Sequence, residues 1–180
     1  MMAKERWDAC DREGNPLGYT VVRGEPVPEG VWHRVAEVLS ITTEGRVLIT
    51  KRHPDKPWGG FWEYTGGSVL AGEEPQAGAA RELREETGIS LPEAALHPLY
   101  VDARPGIDGL NTIYCCFAAF FDPAEQTIRL QEGETVDFRL LPYDQFKEFL
   151  LTEEFTDPIR RRFLDHQEVF DRLMEAHLKK

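Results

Sequence analysis

The sequence is short of positive charge, of cysteine and of long apolar runs. Lysine and arginine number 21 against 32 aspartates and glutamates, giving a formal net charge of −11 and a pI near 4.9. A surface of that sign opposes non-specific binding to nucleic acid or to anionic membranes, both of which need cations to displace counterions. It can still handle phosphates where cations screen them. The three cysteines, Cys10 and the adjacent Cys115 and Cys116, build no disulfide framework, because neighbours in a strand point to opposite faces. A leftover thiol suits a reducing compartment. No CxxC or HxxxH spacing offers a zinc-type site. The most apolar stretch, IYCCFAAFF from Ile113 to Phe121, is too short to span a bilayer, and the polar opening MMAKERWDACDREG lacks the apolar core of a signal peptide. A cytoplasmic protein with no membrane and no nucleic-acid partner is expected.

What is present has the balance of a globular domain, 41% hydrophobic and 29% charged over 180 residues, without repeats, low-complexity tracts or linkers. One domain is expected over residues 1–180. Gly and Asn-Pro punctuation in WDACDREGNPLGYTVVRGE predicts a small N-terminal β-hairpin turning near Glu13 to Pro16. HRVAEVLSIT and RVLITKR read as strands joined by a turn at Thr43-Glu44-Gly45. FWEYTGG reads as a short strand or extended segment. LHPLYVDAR, NTIYCCFAAFF and ETVDFRLLP read as further strands, and a short helix is expected around Tyr143 to Leu150. The C-terminal DPIRRRFLDHQEVFDRLMEAHLKK places Ile159, Phe163, Phe170, Leu173, Met174 and Leu178 near helical spacing, which predicts an amphipathic helix.

Between Glu74 and Thr87, EPQAGAARELREET has Pro75 where a helix can begin and Gly88 where one can be capped. On that helix Glu82, Glu85 and Glu86 share an arc of about 100°, with Gly78 and Ala79 expected near it to leave space above. Like charges at this spacing cost a few tenths of a kcal/mol per pair in water and more where water is excluded. A solvated acidic face is the plain reading of three such glutamates; a divalent cation would reverse the sign of their interaction. Mg²⁺ or Mn²⁺ takes oxygen ligands and keeps room for water and phosphate oxygens.

The wider spacing decides between these. Gly67 is followed after five residues by Glu73, after seven more by Arg81-Glu82-Leu83, then by Glu85-Glu86 and Gly88-Ile89. A chance match of all these fixed positions has a probability on the order of 10⁻⁷ at ordinary residue frequencies. The pattern is the full Nudix box, and the sequence resembles a Nudix hydrolase. The resemblance implies an α/β (α+β) fold, a mixed β-sheet sandwiched between helices, and hydrolysis of a diphosphate linked to another moiety. It further implies that Glu82, Glu85 and Glu86 bind Mg²⁺ (or Mn²⁺) with a backbone carbonyl from Gly67, while Glu73 and Arg81 brace the loop against the helix. The expected partner is a small-molecule diphosphate, with a homodimer left open.

A diphosphate resists attack because its own oxygens repel the nucleophile, so metal charge and a general base are both needed. Glu85 and Glu134, the latter in QEGETVDFRLL, are the candidate bases. WDACDREGNPLGYTVVRGEPVPEGVWHRVAEV followed by LITKRHPDKPWGGFWEYTGGSVLAGE is similar to the Nudix branch of isopentenyl diphosphate isomerase. Those isomerases carry a catalytic cysteine before a degenerate box; here Trp62-Glu63-Tyr64-Thr65-Gly66-Gly67 holds none and the box is intact, which favours hydrolysis. A nucleotide-sensing domain without turnover is the other alternative, although such modules usually lose box glutamates. His33 is a metal or substrate contact by analogy, with a buried or capped histidine as the alternative. Arg23, Arg52 and His53, beside Lys51, are candidate phosphate contacts. Trp58, Phe61 and Trp62 could stack on a base or an isoprenoid chain, or simply pack in the core. The segment from Asp102 to Asn111 is where specificity would be set.

Overall fold

The computed structural model describes residues 4–106 and 110–179, so Ile107 to Gly109 of the segment expected to set specificity lie outside the described residues. The architecture is α+β, a mixed sheet with helices on both faces. At its centre runs β3 (Trp32–Thr42), buried along nearly its whole length. That burial on two sides explains its almost continuous apolar run, with Ala36 and Val38 on one face and Leu39 and Ile41 on the other.

Along one edge, β3 pairs in parallel with β8 (Asn111–Phe121), from Trp32↔Asn111 to Thr42↔Phe121 without a break. Three shorter segments share its other edge. Cys10 of β1 (Arg6–Cys10) meets Trp32, β6 (Thr65–Ser68) pairs from Val35↔Ser68 to Val38↔Thr65, and Val47 of β4 (Arg46–Arg52) meets Ile41. The expected hairpins are present: β1 pairs antiparallel with β2 (Pro16–Val22), and β4 follows β3 across the turn at Thr43–Gly45. Outward, β7 (Leu96–Arg104) pairs with β8, and β9 (Thr135–Pro142) pairs with β4. The FWEYTGG segment divides at Tyr64 between two partners. Its first part, β5 (Trp62–Glu63), pairs with β4, and its second part is β6 on β3, so the chain here crosses from one strand to the other.

Helix α1 (Pro75–Thr87) covers one face, burying Ala79 and Leu83 with Val69 and Ile89 against Ala36, Val38 and Phe117. On the opposite face α2 (Tyr143–Leu150), α3 (Asp157–Asp165) and α4 (Gln167–Leu178) bury Phe146, Phe163 and Phe170 against Leu39, Ile41 and Cys116. Cys115 and Cys116 fall into the two different cores, as strand alternation requires.

The C-terminal segment corrects the expectation of one amphipathic helix. It is broken at His166, which leaves helical geometry at φ −117° and ψ 14°. The imidazole explains the break: it stacks on Tyr100 at 3.8 Å between centroids and meets an Asp102 carboxylate oxygen at 3.1 Å, both on β7. One buried ion pair ties this layer to the central strand. Arg162 of α3 bonds to both carboxylate oxygens of Glu37, the Nε–Oε2 distance being 3.2 Å, and its guanidinium lies 3.6 Å from the Tyr114 ring centroid. Both side chains are almost fully buried. Removing one partner strands the other charge, so Arg162→Ala is expected to cost about 3–5 kcal/mol in a urea melt, whereas Glu37→Leu combined with Arg162→Met should recover most of it. A single variant with an unchanged midpoint would show that the pair is not holding the two layers together.

Candidate active site

The loop and helix of the glycine-glutamate motif stand at a cleft of about 220 Å³ on the α1 side of the sheet. Pro75 opens α1, and the helix closes at Gly88, whose N–H donates to the Arg84 carbonyl. The helix ends against residues 129–135: Arg129 N–H donates to Thr87 O at 2.7 Å and Gln131 N–H to Glu86 O at 3.2 Å. That contact carries Gln131 and Glu134 to the cleft wall.

Arg81 organises the motif. Its Nε and Nη2 donate to the two oxygens of Glu73 at 2.9 and 3.0 Å, and Nη2 also donates to Ser68 O at 2.9 Å. Glu73 in turn accepts Leu70 N–H at 3.0 Å, which closes the loop over the start of the helix. The brace does more than expected, because Arg81 Nη1 also donates to Glu82 at 2.7 Å and to Glu85 at 3.1 Å. Gly67 packs against the Glu82 carboxylate: a Cβ there would fall 2.1 Å from its carboxyl carbon, so that carboxylate would have to swing aside. The expectation of open space above Gly78 and Ala79 is corrected. Ala79 is buried in the core, and a Cβ on Gly78 would meet Glu73 Oε2 at 3.0 Å, so the braced loop carboxylate fills that side.

The three glutamates grade from buried to exposed. Glu86 is 8% exposed, Glu82 is nearly buried and Glu85 is open to solvent. Burial raises the Glu82 carboxyl, with Arg81 opposing, and raises Glu86 well above the usual carboxylate range, with the charges of Glu63 and Glu82 adding to it. Desolvation therefore outweighs mutual repulsion as the cost of the cluster. Among the described residues, no three acidic, histidine or cysteine side chains form a ready-made cation cage; Arg81 draws an oxygen of Glu82 and another of Glu85 toward itself. The donor set nevertheless suits a hard divalent cation. Glu86 Oε2 is buried without a hydrogen-bond partner among the described residues, and Glu86, Glu82 and Gly67 all line the cleft.

Facing them are Arg23, Arg52 and Lys56, each held by a carboxylate. Arg23 pairs with Glu5 at 2.9 Å, Arg52 with Glu63 at 2.6 Å, and Lys56 with Glu134. Arg23, Arg52 and Glu134 all line the cleft. The two histidines do not. His33 lies buried under Trp7, stacked at 4.4 Å, with Nε2 at 3.1 Å from Thr112 Oγ1; burial, helped by Arg23, depresses its pKa to about 4, so it is neutral at pH 7. His53 accepts the Asp55 N–H within its own loop and does not line the cleft. Trp62 is core, with the Arg139 guanidinium 4.3 Å from its ring centroid.

Three contributors escaped the sequence reading. Lys56 and Glu5 were indistinguishable from ordinary surface charge. Glu63 stood in plain view beside the box, but only its position behind Arg52 reveals a role: Arg52 Nη1 binds it while Nε donates to Pro57 O at 2.7 Å, fixing the guanidinium in the cleft wall.

A braced acidic helix over a mixed sheet, opposed by paired cations, defines a scaffold for binding a charged small molecule. A NUDIX domain model matches residues 31–166, and the chain belongs to the Nudix family. Nudix hydrolase 3 of Arabidopsis thaliana is 30% identical over 164 residues, which span 85% of this chain but 21% of that protein. A crystal structure from Deinococcus radiodurans aligns with a TM-score of 0.68 at 22% identity, covering 88% of this chain and 98% of that chain. A bifunctional NMN adenylyltransferase/ADP ribose pyrophosphatase from Francisella tularensis, complexed with AMP and a manganese ion, aligns with a TM-score of 0.56 at 20% identity over 85% of this chain and 43% of its own.

Two outcomes follow from the geometry. Gly67→Ala must push the Glu82 carboxylate aside and is expected to cost about 1–3 kcal/mol, read from a urea melt; an unchanged midpoint would mean that the carboxylate moves freely. Burial lifts the Glu63 carboxyl to about 7 despite Arg52. The folded protein then holds more protons than the unfolded chain between about pH 4.5 and 7, and this group's contribution to stability falls as pH rises through that window. Glu63→Gln removes the slope, so the variant should gain on the wild type by on the order of 2 kcal/mol from pH 5 to pH 8. A constant difference across that range would place the Glu63 pKa near its ordinary value.

Proposed function

We propose that this chain hydrolyses the diphosphate bond of a nucleoside diphosphate linked to another moiety, or of a similar organic diphosphate, with Mg²⁺ or Mn²⁺ as cofactor. The observation that carries this is one small cleft lined both by Glu82 and Glu86, the latter with a buried oxygen that has no partner among the described residues, and by the cationic side chains of Arg23, Arg52 and Lys56. Glu82, Glu85, Glu86 and the Gly67 carbonyl would hold the cation. When bound, it supplies positive charge that offsets the phosphate oxygens and lowers the pKa of water. Arg52, Arg23 and Lys56 bind and orient the phosphates, Arg52 as a pre-set planar donor. Arg81 holds the loop and the glutamates in register. Glu85 and Glu134, both on the cleft wall, are the candidates to accept the proton of the attacking water. The pH–rate profiles of Glu85→Gln and Glu134→Gln would assign the role, since only the true base removes the acidic limb.

Isomerase chemistry lacks its thiol: Cys10, Cys115 and Cys116 are all buried and none lines the cleft. The manganese-bound pyrophosphatase neighbour supports the metal-dependent reading by likeness of fold. We read residues 1–180 as one such domain, the hairpin and the C-terminal helices being additions to its core. Release of phosphate or nucleotide from a panel of Mg²⁺-supplemented diphosphates tests the reading, and binding without turnover across the panel would make the domain a sensor. Glu86→Gln should lower kcat by about 10²–10⁴. Because Glu86 is a buried acid whose ionised form is disfavoured, the variant should fold at least as stably as the wild type in the absence of metal. Mg²⁺ should raise the melting temperature of the wild type in a concentration-dependent way and that of the variant far less. Equal Mg²⁺ responses would remove Glu86 from the cation site.

A further inference from the structure

Trp58 is both exposed and held in a strained backbone conformation. The other three tryptophans, Trp7, Trp32 and Trp62, are buried, whereas Trp58 is 48% exposed. It belongs to none of the buried apolar clusters. It is also the one non-glycine residue with positive φ among the described residues, at 60°. A bulky side chain rarely adopts that conformation, and such outliers cluster at active sites, ligand clamps and switch regions.

The surrounding loop fixes this arrangement. Gly60 N–H donates to Arg52 O at 3.1 Å, Phe61 N–H to Trp58 O at 3.1 Å, and Lys56 N–H to His53 O at 3.0 Å. Gly59 passes so close to Pro54 that a Cβ would lie 2.2 Å from the Pro54 carbonyl oxygen. The edge-to-face contact with Phe61, at 5.6 Å and 88°, orients the indole. Lys56 and Pro57, the two residues before Trp58, line the cleft, and the Pro57 carbonyl is the one that holds Arg52. The loop that anchors Arg52 therefore carries, one residue after the cleft-lining Pro57, an exposed ring oriented by Phe61.

We propose that Trp58 is a specificity-determining residue whose ring stacks on a planar aromatic group attached to the diphosphate in the cleft. The proposal rests on the reading of the cleft as a diphosphate site. An isoprenoid tail is the competing occupant, but it needs an extended apolar channel. Among the described residues, the apolar side chains of the cleft are those of Val35 and Pro57, set among charged and polar neighbours. One exposed ring next in the chain to the cleft-lining Pro57 suits a flat partner, which gains from face-to-face contact without a channel.

The test uses probes whose bridging oxygen is replaced by methylene, so that they bind without being cleaved: methylenediphosphonate, α,β-methylene ADP-ribose and geranyl methylenediphosphonate, each with Mg²⁺. Trp58→Gly is the principal variant, since glycine is at home at φ 60° and should leave the melting temperature at or above that of the wild type. The preference for α,β-methylene ADP-ribose over methylenediphosphonate is expected to fall about ten-fold in Trp58→Gly and to stay within about threefold of wild type in Trp58→Phe. Tryptophan fluorescence of the wild type should be quenched by the adenine-bearing probe and not by methylenediphosphonate. An unchanged preference overturns the proposal, as does a loss confined to the geranyl probe. If the wild type and Trp58→Phe fail to bind methylenediphosphonate with Mg²⁺, the diphosphate reading of the cleft itself falls, and the stacking role with it.

Discussion

The arrangement of the candidate site depends on the guanidinium of Arg81. Five donors in a fixed plane reach Glu73, Glu82, Glu85 and the Ser68 carbonyl together, which a single ammonium could not do. The loop from Ser68 to Glu73 is thereby locked to the middle of α1. This lock also holds the Glu82 carboxylate against Gly67, so a side chain there would have to displace it. The glutamates pay little of the cost of crowding to one another, because Arg81 stands between Glu82 and Glu85; the larger cost is the loss of water around Glu86. A cation that met Glu86 would relieve a desolvation penalty already built into the fold.

Across the cleft the charges are arranged differently. Arg23, Arg52 and Lys56 are each matched by an acid, and the matches differ in strength. The pairs at Arg23 and Lys56 are partly exposed and cost little to separate. The Arg52–Glu63 pair is mostly buried, and the Pro57 carbonyl fixes its geometry from a second side. An anion entering the cleft would thus meet one rigid donor and two that can be redirected. Orientation comes from the first, and adaptation to the rest of the ligand from the others.

The sequence showed most of the strands, α1 with both its ends, and the brace, because each of these rests on local rules: apolar alternation, Pro75 and Gly88 at the helix ends, and a spacing that only one arrangement satisfies. What it concealed depends on contacts distant along the chain. The break at His166 is invisible in a segment of good helical periodicity, since its cause is Tyr100 and Asp102 on β7. His33 stands at the start of a strand, where no local rule covers it, but Trp7 from the first strand lies across it. Gly78 was placed on the correct side of the helix, yet the loop carboxylate that covers it belongs to Glu73. Glu63 shows most clearly why side-chain roles at the cleft were harder to read than the helix beneath them: its importance is conferred by Arg52, eleven residues earlier on the neighbouring strand.

Parts of the chain outside the motif hold its loop in place. Ala71 N–H donates to the Arg6 carbonyl at 2.8 Å, and Gly72 N–H donates to an Asp8 carboxylate oxygen at 2.8 Å, so the first strand holds the loop that Arg81 holds from the other side. Arg34 joins these supports, reaching the Glu73 carbonyl at 3.3 Å and Asp8 at 3.6 Å. Behind the glycines, a Cβ on Gly66 would lie 3.4 Å from the Glu37 side chain, whose carboxylate is fixed by Arg162 of the opposite helical layer. A loop rich in glycine has little stiffness of its own. It acquires a single conformation here because the N-terminal hairpin, the central strand and the C-terminal layer each supply one of its restraints. The short motif therefore specifies the groups at the site, while their placement is a property of nearly the whole described chain.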